Sequence, residues 1–178
     1  MESNRNFMDR YLSPDEYIRA EICANRGPQN VMQKDTLLYL LEAAHMKADP
    51  KATKGELYDL LRKEMTVEEI AARCKHLGVS SRSWQLKFGI SNDDVRYMAL
   101  AGYITVTGKV RFRGWGRMQE APLYSVFDYF RLSKEDVQQW LLDNPRPEKW
   151  WLTETRRCAS ASGNSGNAPA VEQSMMST

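Results

Sequence analysis

Apolar side chains recur at three- and four-residue intervals along most of the chain up to Pro145. Four of the runs open on a hydroxyl residue followed by acids, the pattern of capped amphipathic helices. The first run begins at Ser13-Pro14-Asp15-Glu16, where a hydroxyl N-cap, a proline at the first helical position and an acid at the third deal with the orphan amides of a helix start. It is predicted to reach about Cys23 and to stop by Gly27-Pro28. Gln33 to about Met46 places Leu37, Leu40, Leu41 and Ala44 on one stripe, ended by Asp49-Pro50. A third helix starts near Lys54 and buries Leu57, Leu60 and Leu61 opposite Lys54, Asp59 and Lys63. Thr66-Val67-Glu68-Glu69 opens a fourth, with Val67, Ile70, Ala71 and Cys74 inward and Leu77-Gly78 as its close.

From Ser81 the pattern changes. Ser83 to Phe88 reads as a short helix, Gly89 as a turn, and Ser91-Asn92-Asp93-Asp94 as the cap of a helix to Leu100 that Gly102 stops. Tyr103 to Arg113 predicts a β-hairpin turning at Thr107-Gly108, with Lys109, Arg111 and Arg113 on one face and Val110 and Phe112 on the other. Leu123 to Arg131 fits a strand or a helical turn, and its period does not decide. Ser133-Lys134-Glu135-Asp136 caps a last helix with Val137, Trp140 and Leu141 inward, ended by Asn144-Pro145. Trp150, Trp151 and Leu152 form a short apolar extension. The stretch from Cys158 to Thr178 is almost all small and polar and is expected to be disordered.

The expected fold is therefore mainly α. A helical segment covers 1–32, a helical unit 33–78, a helix-turn-helix unit with a small β-hairpin 81–143, a Trp-rich extension 144–157 and a tail 158–178. The 178 residues suffice for one medium domain or a few very small ones. With 25 Lys and Arg against 23 Asp and Glu, the formal charge is +2, so an anionic partner must be met by a local patch. No apolar run approaches the ~18–20 residues of a membrane span, and the first residues lack a signal-peptide core, so a cytoplasmic protein is expected. Three scattered cysteines, Cys23, Cys74 and Cys158, make no disulfide framework, in keeping with a reducing compartment.

Phe88-Gly89-Ile90-Ser91-Asn92-Asp93-Asp94-Val95-Arg96-Tyr97 and the following Ala101-Gly102-Tyr103-Ile104 resemble the winged helix-turn-helix of MerR-type regulators and phage excisionases. Tyr129-Phe130-Arg131-Leu132-Ser133-Lys134-Glu135-Asp136-Val137 is similar to the segment that closes such domains, and the likeness covers Ser81 to Asp143, about a third of the chain. The resemblance implies that Ser91 to Leu100 enters a major groove, with Asn92, Arg96 and Tyr97 on it. It also implies that the hairpin lies along phosphate or the minor groove. Two features depart from the family: Asp93 and Asp94 at the front of the groove helix, and the long connection Gly114 to Arg131. A second segment, Thr36 to Ala44 followed by Ala52-Thr53-Lys54-Gly55-Glu56-Leu57, resembles a SAP-type helix-loop-helix, which implies a phosphate contact for Lys54.

The bare residues point to the hairpin. Lys109, Arg111, Arg113 and Arg117 follow one another with no acid between Tyr103 and Met118, and Phe112 and Trp115 are interleaved with them. Cations on a ribbon neutralise phosphates, and an exposed aromatic ring stacks on a base or wedges into a groove. The alternative is a solvated edge strand whose charges oppose aggregation. No nucleotide-binding, nucleophile-elbow or zinc-protease motif is present, and Cys74 and His76 lack further converging donors, so no catalytic residue, metal or cofactor is expected. Double-stranded DNA is the expected partner. A protein partner, for an inhibitor or adaptor reusing the same scaffold, is the competing expectation, because Asp93 and Asp94 can mimic phosphate toward a basic surface.

Overall fold

The computed structural model describes residues 6–24, 31–114 and 116–151. After a 3-10 turn at Phe7–Arg10 come α1 (Pro14–Cys23), α2 (Lys34–Ala43), α3 (Lys54–Leu61), α4 (Val67–Ala71), β1 (Val79–Ser80), α5 (Ser81–Phe88), α6 (Asn92–Leu100), β2 (Val106–Gly114), β3 (Arg117–Tyr124), α7 (Val126–Arg131) and α8 (Lys134–Asp143). The described protein is thus mainly α, with one antiparallel three-stranded sheet in the order β1-β3-β2.

Local chemistry explains the helix starts. Reciprocal capping boxes open α3 (Thr53 with Glu56), α4 (Thr66 with Glu69), α6 (Ser91 with Asp94) and α8 (Ser133 with Asp136). Ser13, Ser80 and Ser125 cap α1, α5 and α7 through their side-chain oxygens. The α5–α6 turn is closed by Gly89 at φ 68°, a left-handed conformation that favours glycine.

The chain divides into two compact units, Met1–Asn144 and Pro145–Thr178. In the first, one apolar cluster runs from Met8 and Ile18 through Leu37, Leu57 and Ile70 to Trp84, Phe88, Met98 and Val137. The predicted boundary between 33–78 and 81–143 falls inside this cluster. Its largest member, Trp84, is fully buried, stacked on Phe88 at 5.0 Å between centroids and edge-on to Tyr129 at 5.4 Å. Asn6 joins this aromatic centre to the N-terminus: its amide donates to the Tyr129 hydroxyl at 2.7 Å and to the Ser83 carbonyl at 3.4 Å. In the second unit, the Trp150 amide donates to the Pro147 carbonyl. Leu152 and the tail predicted from Cys158 lie outside the described residues.

The β-structure differs from the sequence expectation in three places. Thr107-Gly108 is no turn: Val106 pairs with Tyr124 and Gly108 with Leu123, so Thr107 is the extra residue of a bulge. Its hydroxyl donates to the Leu77 carbonyl at 2.9 Å, anchoring the bulge to the loop before β1. The last pair of the ladder is instead Gly114 with Arg117, and Gly116, beside Arg117, has φ 74°. The undecided stretch Leu123–Arg131 is both alternatives in sequence, the end of β3 and then α7. Finally, β1 had no signal; it pairs Val79 with Tyr124 and Ser80 with Leu123.

Candidate nucleic-acid interface

The β2–β3 ribbon is tied to the core at its base and open to solvent beyond it. Leu123 and Tyr124 are buried and Val110 is half-buried, whereas 111–113 and 116–120 are all exposed. Residues directly opposite in an antiparallel pair share a face. Lys109 faces Pro122, Arg111 faces Glu120 and Arg113 faces Met118, so these three cations lie together as expected. Arg117 stands opposite Gly114 and belongs to the other face, with Phe112 and Gln119, so the four cations do not form one surface. Phe112 is 44% exposed and Met118 67%, so Met118 stands with the three cations of one face and Phe112 with Arg117 on the other.

Glu120, which the linear run of cations concealed, changes the electrostatics. The Arg111 guanidinium donates to Glu120 Oε1 at 2.8 Å, and the Lys109 ammonium lies 3.7 Å from Oε2. Arg111, aided by Lys109, holds the Glu120 carboxyl below the usual range, so it is ionised at neutral pH. These contacts are exposed and each stabilises the fold little. Arg113 and Arg117 have no ion-pair partner among the described residues. Four cations against one carboxylate leave three positive charges on the ribbon. Trp115 lies outside the described residues.

On α6, Asn92 is exposed in the first turn. Arg96 and Tyr97 are half-buried, and the Tyr97 ring packs on Trp140 of α8 at 5.8 Å between centroids; Trp140 also stacks on Tyr103 at 4.6 Å. Asp94 is spent on the Ser91 cap, accepting from its amide and hydroxyl at 3.0 and 2.6 Å, while Asp93 is exposed. Lys54 is not brought to the hairpin. Its ammonium donates to the Met32 carbonyl at 2.7 Å and the Ile22 carbonyl at 3.1 Å, and burial lowers its pKa, which makes it a tether between α3 and the end of α1.

The Cys74 thiol is pushed up to about 12 by burial and donates to the Ile70 carbonyl, so it stays protonated. Among the described residues no cluster of His, Cys, Asp and Glu gathers to hold a metal, and no helix is long and apolar enough to cross a membrane. No protein-family model, curated protein or solved structure matches this chain.

Proposed function

We propose that this chain is a non-catalytic DNA-binding protein of bacterial or phage and mobile-element type, built on a winged helix-turn-helix whose wing is the β2–β3 ribbon. The order of elements supports it: α5, the Gly89 turn and α6, then a ribbon, with β1 before α5 closing the sheet in the order β1-β3-β2. The observation that carries it is the pair Arg113 and Arg117 on the projecting part of the ribbon, exposed and without a carboxylate partner among the described residues. There they neutralise phosphates and release counterions, and α6 sets orientation through its exposed first turn at Asn92.

Titration of a labelled duplex at low salt tests this. The wild type is expected to bind, and the Arg113→Ala/Arg117→Ala variant to lose at least tenfold in affinity. A wild type that does not bind duplex at low salt contradicts the proposal. It would favour the second reading, a protein-protein inhibitor or adaptor module, which rests on the exposed Asp93 at the front of α6 and on Glu120 among the ribbon cations.

A further inference from the structure

We propose that the outer end of the β2–β3 ribbon is a subsite for one unpaired nucleotide of a nucleic-acid strand. Phe112 is the stacking surface for its base, Gln119 the reader of the base edge, and Arg117 the contact to its phosphate. The inference rests on the DNA-binding proposal above and deepens it.

The register brings the three side chains together. Phe112 is opposite Gln119, and Gly114, two residues on along the same face, is opposite Arg117. Gly114 shapes the site. A Cβ placed there would stand 3.2 Å from Phe112 Cε2 and 3.2 Å from Gln119 Oε1, so ring and amide both lean over the bare glycine backbone. The ring is thereby supported on the ribbon while 44% of the residue remains open to water. A supported, solvent-facing aromatic ring is a preformed platform for a second π-face.

The Gln119 amide makes one long hydrogen bond, 3.5 Å to the Gly114 carbonyl. Its oxygen and second N–H suit the acceptor and donor groups of a base edge. Arg117, exposed and without an ion-pair partner among the described residues, supplies the charge a phosphate needs. Inside a fully paired duplex both faces of each base are covered by its neighbours. The ring therefore stacks only on a base that has left the stack, at a bulge, a mispair or a single-stranded stretch.

Fluorescence anisotropy with the full chain tests this on two probes, a perfect duplex and the same duplex carrying one extra unpaired adenine. The wild type is expected to bind the bulged duplex about tenfold more tightly. Phe112→Leu, which keeps an apolar group and removes the ring, should abolish that preference, so that the variant binds the two probes equally. Phe112→Tyr should retain it. Equal wild-type affinity for both probes, or a preference that survives in Phe112→Leu, overturns the subsite and leaves the DNA-binding proposal standing. Binding to neither probe overturns both.

Discussion

Glu120 controls how much of the ribbon's charge an incoming phosphate meets, because it engages Arg111 and lies near Lys109. Replacing it by Gln removes the only carboxylate among the described residues of the ribbon. Glu120→Gln is therefore expected to raise duplex affinity and to steepen the salt dependence by about one unit of slope, read by titration at several salt concentrations. Acid acts in the same direction. The folded-state carboxyl is held low, so it stays ionised until the pH falls through that lowered value, and only then is Arg111 released. Gly78 is a residue of another kind. A Cβ there would lie 2.6 Å from Thr107 Oγ1 and 2.7 Å from Leu123 Cβ, so the loop into β1 and the bulge of β2 approach each other only over a glycine. Gly78→Ala is expected to lower stability by about 1–3 kcal/mol, measurable as a drop in Tm.

The helices were readable in the chain because their signals are local. A hydroxyl three residues before an acid sets both ends of a capping box, and Ser91 with Asp94 or Ser133 with Asp136 need nothing from elsewhere. Thr53→Ala or Ser133→Ala is expected to cost about 1 kcal/mol in denaturant unfolding. Glu56, Glu69 and Asp136 are held below their ordinary values by hydrogen bonds from Thr53, Thr66 and Ser133. Their contribution is complete above the ordinary values of 4.5 for Glu and 3.8 for Asp, and is lost as pH falls through the lower folded-state values. Strands carry weaker local signals. β1 is two residues long and exists only because Tyr124 and Leu123 lie beside it. Glycine marks turns and bulges alike, so Thr107-Gly108 read as a turn although the partner strand makes it a bulge. The pairing of Arg111 with Glu120, and the separation of Arg117 from the other cations, follow from a register that no linear spacing discloses.

Across the unit Met1–Asn144, the N-terminal helices and the α5–α6 region share one apolar cluster. Asn6 is part of that continuity, since the Tyr129 hydroxyl accepts its amide while burial pushes the Tyr129 pKa up to about 12. Lys87 adds a second tie from α5, donating to the carbonyls of Tyr129 and Leu132. Arg62, hydrogen-bonded to Asp15, and Arg19, paired with Asp59, link α1 to the end and the middle of α3. This frame holds the base of the ribbon and leaves its end in solvent. The most direct test of that arrangement is the slope of log K against log salt for duplex binding by the wild type and by Arg113→Ala/Arg117→Ala. Three net positive charges predict a slope of about −2 to −3, with about two units lost in the variant. An unchanged slope in the variant, or binding indifferent to salt, would contradict the assignment of the ribbon as the surface that meets DNA.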